Sequence, residues 1–128
     1  MKKIFFLIFI LTSINAFAVD KSTTFSNKIF KKSQEEGKIV VINSWNKTCS
    51  TCAKQIKILN DAEKEFSDIV FLSFEQTKDK DIAKLLSIDY WTTIVIYKNN
   101  KEIYRSIGQT DKVKILSLIH ISEPTRRS

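Results

Sequence analysis

The segment SWNKTCSTCAK, residues 44–54, most constrains what this chain can fold into, because it contains both cysteines, Cys49 and Cys52. Two cysteines at this spacing can form a redox-active dithiol, half of a metal site or a local structural disulfide. A continuous apolar run, Ile39–Ile42, precedes the pair and predicts a buried strand. Apolar residues at helical spacing follow it. The pair is therefore predicted to lie where a strand gives way to a helix.

The start of a helix is a chemically distinct place for a thiol. Its first turn presents unpaired N–H groups and the positive end of the helix dipole, which stabilise a thiolate. Cys49, at the helix start, is predicted to be exposed and to act as the nucleophile. Cys52, one turn into the helix, is predicted to be shielded against the sheet and to resolve the mixed disulfide. Lys47 and Lys54 flank the pair and are expected to assist the thiolate weakly.

Two other uses of the cysteine pair stay open. A zinc site needs four ligands, and the chain has two cysteines and one histidine, His120. A zinc or iron–sulfur centre would therefore need a pair from each of two chains. A structural disulfide between Cys49 and Cys52 would close a very short loop, for which the entropic gain is smallest. We expect no metal and no cofactor, and favour the redox dithiol.

The rest of the chain alternates helices and strands. Helices are predicted at about 25–36, 49–66, 81–87 and from 111, and strands at 39–42, 69–74, 92–97 and 102–107. Thr23 or Thr24 is expected to cap the first helix. The order α-β-α-β-α-β-β-α predicts an α/β fold with parallel strands joined by helical crossovers. The last two strands are predicted to pair as a hairpin around Asn99 and Asn100.

The first 18 residues have the layout of a signal peptide. A basic start, Lys2 and Lys3, is followed by an apolar run, 4–14, and by Ala16-Phe17-Ala18. We expect cleavage after Ala18; an uncleaved anchor is the alternative, although the run is short for a membrane span. Two glycines and abundant Lys, Ile and Asn fit a bacterium with an AT-rich genome. The mature protein is therefore predicted to be periplasmic.

The last residues are predicted to be foreign to the protein. Residues 116–126 read LSLIHISEPTR, which resembles the translation of a transposon-end adapter used in sequencing libraries. A genuine C-terminal helix is the alternative. The predicted division is a signal peptide at 1–18, one domain at 19–115 and a non-native tail at 116–128, with the last helix truncated at Ile115. Resequencing the 3′ end of the gene checks this prediction.

The charge of the chain does not indicate a nucleic-acid partner. Lys and Arg number 21 and Asp and Glu 14, which gives a net charge of +7. The basic residues are spread along the sequence and mixed with acidic ones, as on a solvated surface. No basic stripe suited to DNA or RNA is present in the sequence. We expect no nucleic-acid binding, and we expect a monomer.

Two segments resemble the thioredoxin superfamily. VVINSWNKTCSTCAKQIKIL is similar to its strand–active site–helix segment, with Trp45 four residues before Cys49. LLSIDYWTTIVIYKNNKEIYRSIGQTD resembles the stretch that ends in a hairpin and a glycine, above all in periplasmic thioredoxin-like proteins. The resemblance implies a thioredoxin-like fold, a central four-stranded mixed sheet with flanking helices. It also implies dithiol–disulfide exchange through Cys49 and Cys52.

The chain departs from that family at several positions of the site. Thr92 stands where thioredoxins have a cis-proline that presents backbone groups to the substrate, and Asn43 stands where they have a proton-accepting aspartate. A cis bond before a residue other than proline costs about 2.5–4 kcal/mol, so the Trp91–Thr92 bond is predicted to be trans. Thr92 is then expected to offer its N–H or its hydroxyl to the sulfur of Cys49.

Further departures flank the cysteines, and aromatic residues are predicted near them. Thr48 replaces the tryptophan before the first cysteine, and Ser50 and Thr51 replace the usual Gly-Pro. Trp91 and Thr92 are predicted to contact substrate, Trp91 as part of an aromatic rim with Tyr90. Trp45 is predicted either to contact substrate or to pack beneath the active-site loop; the two alternatives stay open.

The resemblance implies a particular activity. We expect a periplasmic reductant of disulfides in partner proteins, recharged by an inner-membrane thiol donor. One alternative is a thiol oxidase that donates its own disulfide. Another is a binding module that keeps the fold and a closed structural disulfide but has no turnover, and the replacements at Asn43 and Thr92 favour that module.

Overall fold

The computed structural model describes residues 23–123. The predicted signal peptide, 1–18, and the last residues, 124–128, lie outside that range. The elements are α1 (Asn27–Glu35), β1 (Val40–Trp45), α2 (Ser50–Glu65), β2 (Val70–Glu75), α3 (Lys80–Leu86), β3 (Thr93–Lys98), β4 (Lys101–Ile107) and α4 (Lys112–Ser122). Within residues 23–123, none of the helices combines the length and the apolar character needed to cross a bilayer.

The four strands form one mixed sheet in the order β2-β1-β3-β4. β1 is parallel to β2 and antiparallel to β3, and β3 pairs with β4 as an antiparallel hairpin. The predicted fold class and element order are confirmed. The expectation that β3 would also run parallel is wrong. α3 has seven residues and rises only about 10 Å, too little to carry the chain back along the sheet.

Apolar layers cover both faces of this sheet. Val41, Ile94 and Ile96 face α2 and α4, whereas Val40, Ile42 and Val95 face α1 and α3. All six side chains are at most 1% exposed. The apolar run that predicted a strand buried on both faces is therefore confirmed. β1 is a central strand, and the turn after its carboxyl end leads to the start of α2.

The first helix is capped by Ser26, not by Thr23 or Thr24. The Ser26 hydroxyl accepts the N–H of Ile29 at 3.1 Å. Thr24 instead pairs with the edge of β2, since its N–H donates to the Ser73 carbonyl and its hydroxyl accepts the Ser73 N–H, both at 2.9 Å. This pairing covers part of the outer edge of β2.

The last helix continues past the expected end at Ile115. α4 runs to Ser122, and Ile115 and Ile119, four residues apart, are fully buried against the sheet and α2. That spacing explains why the residues after Ile115 extend the helix. In the chain as given, α4 is therefore not truncated at Ile115. The foreign origin of residues 116–128 stays a prediction.

Candidate active site

The two cysteines lie at the junction of β1 and α2, as predicted. Cys49 is the N-cap of α2, and its Sγ accepts the N–H of Cys52 at 3.1 Å. The two residues are joined by a disulfide, with their Cα atoms 5.2 Å apart. The sulfur of Cys49 thus occupies the place that a hydroxyl or carboxylate oxygen takes at other helix N-caps. A thiolate formed there would receive the same backbone hydrogen bond.

The predicted exposure of Cys49 is wrong. Its exposed fraction is 7%, and Cys52 is fully buried as expected. The residue beside both sulfurs is Thr92, which precedes β3 and is itself 4% exposed. The sulfur pair is therefore covered by a residue 43 positions after Cys49 and 40 after Cys52.

Thr92 presents its hydroxyl to both sulfurs. Its Oγ1 lies 3.4 Å from Sγ of Cys49 and 3.2 Å from Sγ of Cys52. The backbone N–H of Thr92 is not available to a sulfur, because it donates to the Ser44 carbonyl at 3.0 Å. All peptide bonds within residues 23–123 are trans, as predicted for Trp91–Thr92. Of the two groups that Thr92 was expected to offer, it is the hydroxyl that reaches the disulfide.

The backbone of Thr92 is held in an unusual conformation. Its φ is +60°, a left-handed value that is a genuine outlier for a β-branched residue and costs on the order of 1–3 kcal/mol. The Thr92 carbonyl accepts the N–H of Gly108 at 2.8 Å, and Gly108 itself has a φ of +79°. Surrounding contacts therefore fix Thr92 in the conformation that points its hydroxyl at the disulfide.

Ser44, near the carboxyl end of the central strand β1, anchors the same segment. Its hydroxyl donates to the Tyr90 carbonyl at 2.7 Å and accepts the N–H of Thr93 at 3.2 Å. The Thr93 hydroxyl donates to the Tyr90 carbonyl as well, at 2.7 Å. These bonds use backbone groups on both sides of Thr92. The segment Tyr90–Thr93 therefore meets much of its backbone hydrogen bonding inside the protein.

The three aromatic residues named from the sequence separate into two groups. Tyr90 and Trp91 are 61% and 41% exposed and directly precede Thr92 in the chain, and their rim around the sulfurs stays a prediction. Trp45 is 1% exposed and packs with Cys49 and Cys52. The packing alternative describes Trp45 in this structure, and its contact with substrate stays a prediction. The indole N–H of Trp45 has no hydrogen-bond partner among residues 23–123.

Asn43 is buried in β1, where it pairs with Ser73 and Ile94 of the neighbouring strands. Its side-chain nitrogen has no hydrogen-bond partner in the described part of the chain. An amide at this position has no basic group with which to accept a thiol proton. Asn43 therefore supplies a buried polar side chain but no general base.

The remaining predicted site residues lie in the turn and at the helix start. Thr48 donates to the Asn46 side-chain oxygen from its N–H at 3.0 Å and from its hydroxyl at 2.9 Å, which stabilises the turn before Cys49. Lys47, Ser50 and Thr51 are exposed, and no hydrogen bond found between residues 23 and 123 joins them to a sulfur. They border the site without contacting its reactive atoms.

Ser44 and Gln55 contribute to the site but were not identified from the sequence. Gln55 is fully buried and donates to the carbonyls of Thr92 at 3.2 Å and Gln109 at 2.9 Å. A signal was available, since Gln55 shares the helix face of Cys52 and Ile56, where an amide is unexpected. No such signal marked Ser44.

Charge plays a larger part at the hairpin than at the sulfurs. The Arg105 guanidinium donates to the Glu102 carboxylate at 2.7 and 2.8 Å, which lowers the pKa of Glu102 and raises that of Arg105. Arg105 also donates to the carbonyls of Leu86 and Ser87 at the end of α3. Burial raises the pKa of Tyr97 nearby.

Residues 23–123 hold no cluster of three or more His, Cys, Asp or Glu that could bind a metal ion.

A CxxC pair at the start of the helix that follows the central strand of such a sheet defines a thiol–disulfide oxidoreductase. The chain belongs to the thioredoxin family, whose model, described as Thioredoxin, matches residues 16–121. It is 32% identical over 83 residues to a thioredoxin of Mycoplasma genitalium, covering 65% of this chain and 81% of that one. It is 26% identical over 98 residues to a thioredoxin H-type of Fagopyrum esculentum, covering 77% and 84%.

Solved structures share the fold. Thioredoxin NaTrxh from Nicotiana alata superposes with a TM-score of 0.72 at 19% identity, covering 88% of this chain and all of that one. Trxlp from Edwardsiella tarda EIB202 has a TM-score of 0.70 at 21% identity, covering 73% and 93%. At these identities the likeness concerns the fold alone, and it confirms the predicted thioredoxin-like architecture.

Proposed function

We propose that this protein is a periplasmic reductant of disulfides in partner proteins, with Cys49 as the attacking thiol and Cys52 as the resolving thiol. One observation supports the role of Cys49 as the attacking thiol. The sulfur of Cys49 caps α2 and accepts the N–H of Cys52, while the Thr92 hydroxyl lies 3.4 Å away. Both donors would stabilise a thiolate on Cys49, and a stabilised thiolate is the reactive species in disulfide exchange.

In the first step, the Cys49 thiolate attacks one sulfur of the client disulfide. A bond forms between Cys49 and that sulfur, the client disulfide breaks, and the other client sulfur leaves as a thiolate that takes a proton from solvent. Cys49 and the client are then joined by a mixed disulfide.

In the second step, Cys52 loses its proton and attacks Sγ of Cys49. The Cys49–Cys52 disulfide forms, the mixed disulfide breaks, and the second client sulfur leaves as a thiolate that is then protonated. Two electrons have passed from the dithiol to the client. Asn43 cannot accept the Cys52 proton, so we propose that it leaves through water or through the Thr92 hydroxyl, 3.2 Å from the sulfur.

Client recognition is proposed to depend on side chains around the disulfide. Tyr90 and Trp91 expose apolar rings beside Thr92, and aromatic rings are frequent anchors at protein interfaces. The N–H and carbonyl of Thr92 are already bonded to Ser44 and Gly108. A client strand therefore cannot pair with Thr92 unless these bonds break, which favours recognition through Trp91 and Tyr90.

A disulfide reductant has to be reduced again after each turnover. Each turnover leaves the Cys49–Cys52 disulfide, so a reductant requires a source of thiol electrons. For a protein exported by the predicted signal peptide, 1–18, we propose an inner-membrane thiol donor.

The proposed location is tested by fractionation of cells expressing the chain with and without residues 1–18. Recovery of the full-length form in the cytoplasm would contradict the location. Size exclusion of the mature protein checks the proposed monomer.

A second candidate, a binding module with a permanently closed disulfide, is favoured by the burial of both cysteines. The equilibrium reduction potential of the pair separates the candidates. A value near about −270 mV supports the reductant, and one near about −120 mV supports a thiol oxidase. A pair below about −300 mV that is reduced only on unfolding would make the disulfide structural.

Variants test the two cysteine roles. Cys49→Ser should abolish reduction of an insulin disulfide, whereas Cys52→Ser should accumulate a mixed disulfide visible by mass spectrometry. Ser50→Ala is the matched control, since Ser50 is an exposed neighbour in the same helix turn. Full turnover by the Cys49→Ser variant would refute the proposed chemistry. A mixed disulfide that accumulates on Cys52 in the Cys49→Ser variant, with none on Cys49 in the Cys52→Ser variant, would reverse the roles.

A further inference from the structure

Gln55 connects three parts of the site. It lies on α2, one turn beyond Cys52, with no exposed surface. Its side-chain nitrogen donates to the carbonyl of Thr92 at 3.2 Å and to that of Gln109 at 2.9 Å. One amide group therefore joins the cysteine helix to the segment before β3 and to the segment after β4.

Both hydrogen bonds of Gln55 use the donors of one nitrogen, and their acceptors are main-chain carbonyls. The oxygen of the same amide is buried and has no partner within residues 23–123. A buried amide with an unpaired oxygen is less favourable than an apolar side chain of the same size. Packing of α2 against the sheet therefore does not account for a glutamine here. What the amide supplies is a pair of N–H donors at a defined place.

The carbonyl that Gln55 binds belongs to the residue with the strained backbone. Thr92 has a φ of +60°, and its carbonyl accepts from both Gly108 and Gln55. Its side chain contacts the two sulfurs. Gln55 provides one of the two hydrogen bonds to this carbonyl, and the bond from Gly108 would remain without it. Because the carbonyl and the side chain belong to one residue, losing the Gln55 bond would loosen the restraint on Thr92 and let its hydroxyl move away from the disulfide.

We propose that Gln55 is a positioning residue for disulfide exchange, which holds the Thr92 hydroxyl against the sulfurs through the Thr92 carbonyl. This inference rests on the thiolate-stabilising role proposed for Thr92. It assigns to Gln55 an effect on the reactivity of Cys49 although the amide makes no hydrogen bond to either sulfur. It also makes Gln109 part of the support, since the same nitrogen binds its carbonyl.

The test is the alkylation rate of Cys49 at pH 7 in the reduced, folded protein, measured with iodoacetamide for four forms: wild type, Gln55→Met, Thr92→Val and the double variant. Thr92→Val removes the hydroxyl and should slow alkylation about three- to tenfold. Gln55→Met should slow it by a similar factor. The double variant should be no slower than Thr92→Val alone, because the two residues act through one hydroxyl.

Gln34→Met is the matched control. Gln34 is also buried, and its side-chain oxygen accepts the N–H of Asn100 at the far end of the sheet. Its replacement should lower stability without changing the alkylation rate. Urea denaturation of every variant shows how much stability each change removes. If Gln55→Met does not fold, Gln55→Asn keeps the amide but is one methylene too short, and it should slow alkylation in the same way.

Three outcomes would overturn the inference, and they are distinguishable. If Thr92→Val slows alkylation but the folded Gln55 variant does not, Gln55 has no positioning role and the proposed role of Thr92 stands. If the two effects multiply in the double variant, Gln55 acts on Cys49 by another route. If Thr92→Val leaves the rate unchanged, the role of Thr92 fails and the inference fails with it.

Discussion

The hydroxyl of Ser44 donates a 2.7 Å hydrogen bond to the carbonyl oxygen of Tyr90, a residue 46 positions further along the chain. The bond joins the carboxyl end of β1 to the segment that enters β3. Ser44 is fully buried, so its hydroxyl cannot exchange this bond for one to water. The placement of Thr92 beside the disulfide therefore depends on a serine in the strand before the cysteines.

Ser44→Ala should lower the free energy of unfolding by about 1–3 kcal/mol. The change leaves the buried N–H of Thr93 without its acceptor and removes one of the two donors to the Tyr90 carbonyl. Urea denaturation monitored by fluorescence measures the loss. Ser50→Ala, in the exposed first turn of α2, should stay within about 0.5 kcal/mol of wild type. Equal stability of the two variants would contradict the anchoring role of Ser44.

The two tryptophans should respond in opposite ways to truncation. Trp45→Ala should lower stability by about 3–5 kcal/mol, because it opens a cavity beneath the cysteines. Trp91→Ala should change stability little, since Trp91 is 41% exposed, but should raise the KM for a protein disulfide. Thermal denaturation and steady-state turnover of the two variants provide the comparison. A larger KM effect from a folded Trp45→Phe variant than from Trp91→Ala would reverse the assignment.

Asn43→Asp should make stability strongly dependent on pH. A carboxyl group buried in β1 is expected to have a raised pKa, because burial disfavours its charged form. Stability should then be near that of wild type at pH 4 and fall as the pH rises, by roughly 2–4 kcal/mol at pH 7. Asn100→Asp, in the exposed hairpin turn, is the control and should show no such trend. Stability that rises with pH would contradict the prediction.

The Glu102–Arg105 pair should contribute to stability only above acidic pH. The hydrogen bond from Arg105 lowers the pKa of Glu102, so the folded state favours the carboxylate more than the unfolded state does. That contribution is present at neutral pH and is lost as the pH falls through the lowered pKa. Glu102→Gln should therefore destabilise the protein at pH 7 by up to about 1 kcal/mol and have little effect near pH 2.

The control for the hairpin pair is Glu36→Gln. Glu36 and Lys38 form an ion pair at 3.4 Å in which both side chains are largely exposed. Its removal should be almost neutral at every pH. Urea denaturation between pH 2 and pH 7 compares the two variants. An effect of Glu102→Gln that grows as the pH falls would have the wrong sign.

Local patterns in the sequence were sufficient for the frame of the site. The strand before Cys49 was predicted because its β-branched residues are continuous, and α2 because its apolar residues recur at helical spacing. The direction of β3 was not predicted, because the sequence of a short helix does not indicate whether the helix spans the sheet. The cap at Ser26 was missed because Thr24 bonds to Ser73, a partner far away in sequence.

Local patterns in the sequence did not predict which residue covers the sulfurs. Cys49 was expected to be exposed because it begins a helix, whereas Thr92, which covers it, is a tertiary neighbour. The contact with Thr92 was anticipated only through the family resemblance. Gln55 was overlooked because its partners are main-chain carbonyl groups. Every residue has such a group, so the sequence does not indicate which of them a side chain binds.

The cover that Thr92 forms over the disulfide also makes the pair a reporter of folding. Residues 49–52 alone form a local turn, but the threonine hydroxyl arrives only when β3 has docked against β1. In the unfolded chain the same two cysteines are ordinary solvated thiols. The reduced pair should therefore be alkylated at one rate before β3 pairs with β1 and at another rate afterwards. A pulse of alkylating agent during refolding would record when β3 joins the sheet.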